Sequence, residues 1–192
     1  MIPRKLEPEV MDTPQEAADY DAMDHSEPNR RFVERLIELG AHGRMLDIGT
    51  GPGHIPLMVC ETLPEAHVVA IDLAHHMLEI AERHRAASPV GARVEFRIGD
   101  AKQLEFADGE FDTVFSNTIL HHIRDPRPML REAWRVLRPG GVLLIRDLFR
   151  PKDNVTVERL VDLYAAGMSV SQRGLLRDSL HAAFTPEELR DL

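Results

Sequence analysis

The stretch Arg44-Met45-Leu46-Asp47-Ile48-Gly49-Thr50-Gly51-Pro52-Gly53 decides how the chain folds. The apolar residues before Gly49 have the character of a buried strand, and glycines then occupy every second position up to Gly53. Apolar residues after Gly53 recur at the spacing of one helical face. The stretch therefore predicts a strand that turns through glycines into a helix. Glycine suits such a turn because a Cβ would hold the backbone away from a ligand.

The composition indicates one globular domain of ordinary size. The 192 residues are 43% hydrophobic and 29% charged, and the formal net charge is −9. An acidic balance of this kind argues against an extended nucleic-acid-binding surface. No apolar run is long enough to predict a membrane span. The single cysteine, Cys60, excludes an internal disulfide and, together with an N-terminus that lacks a signal pattern, favours a cytoplasmic location.

Strand and helix patterns alternate after the glycine turn. Further strand patterns cover residues 68–72, 94–98, 111–116 and 142–145. This alternation predicts an α/β fold with a parallel, doubly wound sheet. The helix before the last strand is expected to turn these side chains inward: Met129, Leu130, Ala133, Trp134 and Leu137.

Acidic residues close two of the strand patterns. Asp72 ends the second strand, and Asp100 follows the third. Because the carboxyl ends of parallel strands meet at one edge of a sheet, Asp72 is placed to accept hydrogen bonds from both hydroxyls of a ribose. Asp100 is placed to accept one from an exocyclic amine. The alternative for Asp72 is a helix cap, since a helical pattern follows it.

Helical patterns flank the core and divide the chain into three segments. We expect residues 1–43 to form a helical N-terminal lid, 44–150 the core, and 151–192 a helical C-terminal segment. Thr13 and Glu16 have the spacing of a capping box, and a second helix is expected to open at Ser26. Tyr20 lies between these signals, and it either packs on an amphipathic face or reaches the ligand.

Taken together, these motifs resemble those of class I S-adenosylmethionine-dependent methyltransferases, particularly the small-molecule branch that includes the ubiquinone/menaquinone C-methyltransferases. The resemblance covers residues 44–148. One departure is Ala74, where many relatives cap the following helix with serine. The stretches that carry the resemblance are 46–53, Asp72 with Met77 and Leu78, 99–101, 111–117, 120–123 and 130–141.

The resemblance implies a Rossmann-like sheet of strand order 3-2-1-4-5 and S-adenosylmethionine as the cofactor, with S-adenosylhomocysteine as the product. It implies that Asp47 lies near the amino end of the cofactor, Asp72 at the ribose and Asp100 at the adenine amine. The backbone at Asn117 would face the methionine ammonium. The full set of residues implied to bind the cofactor is Tyr20, Asp47, Gly49, Thr50, Gly51, Gly53, Asp72, Leu73, Met77, Asp100, Ala101 and Asn117.

The function that the resemblance implies is methyl transfer to a small-molecule acceptor with an oxygen, nitrogen or carbon nucleophile. Such an in-line displacement depends mainly on positioning. A general base helps when the nucleophile carries a proton, and His121 or His122 is the candidate for that role. The alternative for both histidines is a structural role where a helix starts. No spacing of histidines and carboxylates along the sequence indicates a zinc site.

Other interpretations stay open at this point. The chain could be a catalytically silent cofactor-binding subunit that activates or stabilises a partner, while a nicotinamide dehydrogenase is disfavoured by the glycine spacing. Relatives complete the sheet with further antiparallel strands, but no strand pattern follows Ile145. We therefore expect either a trimmed form of a longer chain or a form whose strand-five edge is covered by a partner, for example in a homodimer.

Overall fold

The computed structural model describes residues 1–10 and 12–192. Their contacts divide the chain into two compact units. The smaller unit comprises residues 1–10, 118–125 and 147–192, and the larger unit comprises residues 12–117 and 126–146. None of the described helices is both long and apolar enough to cross a membrane.

The larger unit contains a five-stranded parallel sheet. Its spatial order, β3-β2-β1-β4-β5, confirms the doubly wound α/β sheet predicted from the sequence. The last strand begins at Leu137, before the apolar run at 142–145, because Leu137 already pairs with Phe111 of the preceding strand. The strands are β1 (Arg44–Ile48), β2 (His67–Asp72), β3 (Val94–Ile98), β4 (Phe111–Asn117) and β5 (Leu137–Arg146).

Helices of the larger unit precede and connect the strands. The capping box of Thr13 and Glu16 is present at the start of the first helix, and the second helix opens at Ser26, so both predictions are confirmed. The helices are α1 (Pro14–Asp21), α2 (Ser26–Glu38), α3 (His54–Thr62), α4 (His75–Ala87) and α5 (Arg127–Val136).

The prediction that Trp134 faces inward is wrong. Trp134 is 69% exposed, whereas Met129, Ala133 and Val136 are fully buried. These buried residues follow one another at intervals of four and three, so they lie on one face of α5. Trp134 is the next residue after Ala133, and one residue corresponds to a rotation of about 100° around a helix. Its side chain therefore points away from the buried face.

The smaller unit is helical and contains no strand among its described residues. Its buried centre is formed by Val157, Val161, Ala165 and Leu180. Capping side chains begin its three α-helices, with capping boxes at Ser169 and Thr185. The helices are α6 (Asn154–Tyr164), α7 (Val170–Ala182) and α8 (Pro186–Arg190), preceded by a 3₁₀ turn at Leu120–His122.

Candidate functional site

The glycine turn joins β1 to α3 at the carboxyl edge of the sheet. The backbone N–H groups of Gly49 and Thr50 both donate to the carbonyl oxygen of Ile71, at 2.9 and 3.0 Å. Gly49, Gly51 and Gly53 have φ angles of +76°, +55° and +79°. Residues with a Cβ rarely adopt this left-handed region, so the turn depends on glycine at these positions. The hydrogen bonds to β2 hold the turn against the neighbouring strand.

Two of these glycines serve different purposes. A Cβ on Gly53 would lie 2.4 Å from Cζ of Phe96 and 3.0 Å from Cβ of Ala81, so close packing excludes any side chain there. A Cβ on Gly51 would meet no described atom within 4 Å. The backbone at Gly51 therefore borders open space, as a cradle for a ligand requires.

Asp72 connects the glycine turn to the loop that follows β2. Its Oδ2 accepts a hydrogen bond from the N–H of Gly51 at 2.7 Å, and its Oδ1 accepts one from the N–H of Ala74 at 2.8 Å. Burial raises the pKa of Asp72 above its usual range, although these backbone groups oppose the shift. A carboxylate has about four lone-pair directions, so two bonds leave acceptor capacity for a ligand. Asp72 thus fixes the loop that precedes α4 and keeps acceptor capacity for a ligand.

Asp47 is a buried carboxyl group with an unpaired oxygen. The residue is 1% exposed, and its Oδ2 has no hydrogen-bond partner among the described residues. Burial, with a further contribution from the charge of Asp72, raises the pKa of Asp47 to about 7. The Thr50 side chain, in the adjacent turn, opposes this rise of the pKa, but its buried Oγ1 makes no hydrogen bond of normal geometry among the described residues. Such groups are costly to bury alone, so they fit a ligand that brings a cationic or hydrogen-bond-donating group.

Asp100, Ala101, Leu73 and Met77 extend this edge beyond β2. The carboxylate of Asp100 accepts the N–H of Lys102 at 2.8 Å and lies 3.0 Å from the Lys102 ammonium. Leu73, directly after β2, is 37% exposed. Met77 and Ala101 are buried, so they support this edge from beneath.

The carboxyl end of β4 is fixed by polar contacts that the sequence did not reveal. Ser116 is buried, and its hydroxyl donates to the carbonyl oxygen of Ile48 at 2.7 Å, where β1 gives way to the glycine turn. Asn117 accepts a hydrogen bond from Nε of Arg146 at 2.9 Å. The position of Ser116, a small polar residue at the end of an apolar strand, could have indicated this contact in the sequence. The order β3-β2-β1-β4 places Asp100, Asp72, Asp47 and Asn117 on successive strands or directly after them.

The N-terminal part of the larger unit packs onto α4. Oδ1 of Asp12 accepts the backbone N–H of His76 at 2.9 Å, in the first turn of that helix. This bond lowers the pKa of Asp12, and it provides a helix-capping acceptor beside Ala74, where the side chain offers none. Tyr20, on α1, lies with its ring centroid 4.7 Å from that of His25.

The paired histidines lie in the smaller unit, in the 3₁₀ turn. The side chain of His121 is 3% exposed, with Nδ1 2.6 Å from Oδ1 of Asp147 and Nε2 3.2 Å from Oε1 of Glu7. Burial opposes a charge on the ring, but the two carboxylates outweigh it and raise the pKa of His121 to about 9. For His122, burial and the adjacent His121 lower the pKa, and Nδ1 lies 3.3 Å from the carbonyl oxygen of Pro8. At neutral pH the charged form is therefore favoured for the ring of His121, and the neutral form for the ring of His122.

Two further features shape the segment that carries these histidines. Thr118 has a φ of +65°, a strained conformation for a β-branched residue and one that often marks a functional site. Arg4 donates to the carbonyl oxygens of His121 and Ile123 at 2.9 and 3.0 Å, which fixes the backbone of the turn. The sequence did not indicate either feature, since neither has a local pattern.

Comparison with known proteins gives a consistent family assignment. The family model described as "Methyltransferase domain" matches residues 46–145. The ubiquinone/menaquinone biosynthesis C-methyltransferase UbiE of Desulfotalea psychrophila is 30% identical over 155 residues, which cover 81% of this chain and 61% of that protein. The demethylmenaquinone methyltransferase of Thermus thermophilus is 40% identical over 122 residues, which cover 64% of this chain and 54% of that protein.

The fold has close counterparts among solved structures. One is the phosphoethanolamine N-methyltransferase 2 of Haemonchus contortus in complex with S-adenosyl-L-methionine. It matches with a TM-score of 0.65 and 23% identity, over 88% of this chain and 41% of that chain. The matched regions span 61% and 54% of the two curated relatives' own length, so this chain corresponds to little more than half of each. This structural likeness supports the fold, and the sequence matches support the family.

Proposed function

Because this chain belongs to the methyltransferase-domain family, we propose that it binds S-adenosylmethionine and transfers the methyl group to a small-molecule acceptor. One observation carries the proposal. The glycine turn, open at Gly51, lies beside Asp72 and the buried, unpaired carboxyl group of Asp47 at the carboxyl edge of the sheet. An edge with two desolvated carboxyl groups suits a ligand that carries both positive charge and ribose hydroxyls.

The described residues fit the parts of this cofactor. Asp72 accepts hydrogen bonds from the ribose hydroxyls, and Asp47 provides the negative charge for the amino end. Asp100 accepts from the adenine amine, and the exposed face of Leu73 contacts the adenine ring. The glycine turn and the backbone at Asn117 approach the methionine portion, while Tyr20 on α1 acts as part of the lid.

The cofactor, when bound, supplies a methyl group that its sulfonium already activates. The protein therefore acts mainly by holding the acceptor in line and excluding water, which can contribute roughly 7–11 kcal/mol. Of the two candidate bases we propose His122, because Nδ1 lies 3.3 Å from the carbonyl oxygen of Pro8, which leaves Nε2 to accept a proton, and because burial and His121 lower its pKa. With its pKa raised to about 9, His121 is protonated at neutral pH and acts as a positioning residue.

The acceptor is a small molecule with an oxygen, nitrogen or carbon nucleophile. Relatives of this chain are named as C-, O- and N-methyltransferases of small molecules, which supports this class without selecting one nucleophile. No observation favours the catalytically silent subunit, so that alternative is not proposed.

The test is calorimetric titration with S-adenosylhomocysteine. The wild-type chain should bind one equivalent, and Asp72→Ala should weaken binding by about 1.5–3 kcal/mol, the usual value for hydrogen bonds to a charged group. Asp178→Ala, which removes an exposed carboxylate on α7, should leave the affinity unchanged. Absence of binding by the wild-type chain, or equal affinity in Asp72→Ala, would contradict the cofactor assignment.

The base assignment has a separate test. The pH profile of methyl transfer should lose its acidic limb in His122→Gln, whereas His121→Gln should retain that limb and lose thermal stability. The opposite pattern would show that His121 is the base.

We also propose that the free edge of β5 is covered when the protein functions. β5 is the last strand in the sheet order, and its residues from Val142 to Ile145 are partly exposed. An apolar edge of this kind is normally paired or protected. A second copy of the chain is one suitable partner. Light scattering that finds a monomer at all working concentrations would exclude the homodimer.

A further inference from the structure

Asp21, His54 and His84 form a cluster in the larger unit, apart from the carboxylates that face the proposed cofactor. They belong to three different helices, α1, α3 and α4. Nε2 of His54 lies 2.9 Å from Oδ1 of Asp21, and Nε2 of His84 lies 3.4 Å from Oδ2 of the same carboxylate. The two imidazole rings stack with their centroids 4.6 Å apart. Both rings therefore direct the same nitrogen toward one acid.

We infer that Asp21, His54 and His84 bind a divalent transition-metal ion, with Zn²⁺ as the ion that fits best. One ligand atom from each residue can be chosen so that all lie within 4.8 Å of one another. A tetrahedral zinc with bonds of about 2.0–2.1 Å holds its ligand atoms about 3.3 Å apart. The distances from His54 Nε2 to Oδ1 and from His84 Nε2 to Oδ2 of Asp21, 2.9 and 3.4 Å, are close to this value.

The hydrogen bonding of His84 resembles that of a metal ligand. Nδ1 of His84 lies 2.9 Å from the carbonyl oxygen of Pro52, so this nitrogen carries the proton and donates. In the neutral ring Nε2 is then the nitrogen that can bind a metal, and it is directed at Asp21. Histidines that bind metals usually donate their other N–H to a carbonyl or carboxylate in this way. The carbonyl of Pro52 belongs to the glycine turn, so the backbone itself supplies the second shell.

The exposure of the cluster suits an ion that enters from solvent. The side chains of Asp21, His54 and His84 are 25%, 36% and 30% exposed. His54 and His84 also line a shallow groove between α3 and α4. The groove therefore gives solvent access to both rings. Two imidazoles and one carboxylate favour zinc and its neighbours over Mg²⁺ or Ca²⁺, which prefer sites built from oxygen alone.

An ion at this position would have a definite structural effect. It would link α1 to the start of α3 and to α4, and it would hold the helix that carries Tyr20 against the glycine turn. The linear sequence gives no sign of the site because its residues are separated by 33 and 30 positions, unlike the short spacings of typical zinc motifs.

The test is titration of the purified, chelator-treated chain with Zn²⁺ by calorimetry, and with Co²⁺ by visible absorption. We expect one equivalent of Zn²⁺ and a tetrahedral Co²⁺ spectrum. His84→Gln and His54→Gln should each lower the affinity by about 100-fold or more, exceeding the 10–100-fold cost of losing a second-shell partner. Bound Zn²⁺ should also slow protease cleavage within α1.

The matched control is His75→Gln. His75 lies on α4 like His84 and is paired with a carboxylate, Glu79 at 3.4 Å. Its neighbour His76 is paired with a different carboxylate, Asp12 at 3.0 Å, so the two rings do not share one acid. The control should bind Zn²⁺ as the wild type does. Asp21→Asn provides a further variant if a histidine substitution prevents folding, which circular dichroism reports. Failure of the wild type to bind one equivalent, or retention of wild-type affinity in folded His54→Gln, His84→Gln or Asp21→Asn, would overturn the inference.

Discussion

Replacing Asp47 with asparagine should stabilise the protein at alkaline pH while impairing its function. Asp47 is 1% exposed and has an unpaired oxygen, and its pKa is raised to about 7 from a usual value of 3.8. A carboxyl group with a raised pKa costs stability progressively as pH rises from its unfolded to its folded pKa. Over about 3 pH units, at roughly 1.4 kcal/mol per unit, ionisation of Asp47 costs on the order of 4 kcal/mol. Asparagine has the same shape and never ionises.

The assay is urea unfolding followed by circular dichroism at pH 5 and pH 8. The stability of Asp47→Asn relative to the wild type should increase by about 3 kcal/mol between these values, since most of the titration of Asp47 lies within this range. The same variant should bind S-adenosylhomocysteine more weakly by about 1.5–3 kcal/mol, because it lacks the negative charge that faces the amino group of the ligand. Asp108→Asn, at a side chain that is 83% exposed, is the control. An unchanged stability difference between the two pH values would refute the reasoning.

Other predictions follow from single contacts. Because the pKa of His121 is raised from 6.5 to about 9, its stabilisation should be complete below pH 6.5 and lost as pH rises through 9. This amounts to about 3 kcal/mol in pH-dependent unfolding, and His121→Gln should abolish that dependence. Tyr20→Ala should weaken S-adenosylhomocysteine binding by about 1 kcal/mol with little change in Tm, and equal affinity would exclude the lid. Gly53→Ala should destabilise by about 2–5 kcal/mol, whereas Gly40→Ala, where φ is +84° but no atom lies nearby, should cost only about 1–2.

The sheet could be predicted because its determinants are local. Each strand is a short apolar run, and the glycine turn after β1 sets the direction of the chain by conformational preference alone. The strand order required the resemblance to a family, since periodicity does not say which strands are neighbours. The inward assignment of Trp134 failed because large apolar residues favour burial only on average, whereas the helical position of the side chain decides the individual case.

The chemistry of the site was less predictable because it depends on contacts distant in sequence. That Asp72 ends a strand was visible, and its pattern allowed either a ligand-binding acid or a cap. The structure shows the carboxylate bonded to the N–H groups of Gly51 and Ala74. Neither group lies within a helix, so loop contacts orient the acid. The charge of His121 was not visible, since it results from Glu7 and Asp147, which lie 114 and 26 positions away.

The start of α4 lacks a capping side chain in its own sequence and is capped by a residue distant along the chain. Ala74 cannot cap this helix, which alone suggests a loss of about 1 kcal/mol. The N–H of His76 instead bonds to Asp12, at 2.9 Å and 64 positions away. A cap supplied from within the turn would have satisfied this end of α4 without the N-terminal segment. Since the cap comes from Asp12, its hydrogen bond and its attraction to the helix dipole favour the docking of the segment that leads into α1. Because Ala74 leaves this N–H group without a local cap, Asp12 can bond to it and attach the proposed lid to α4.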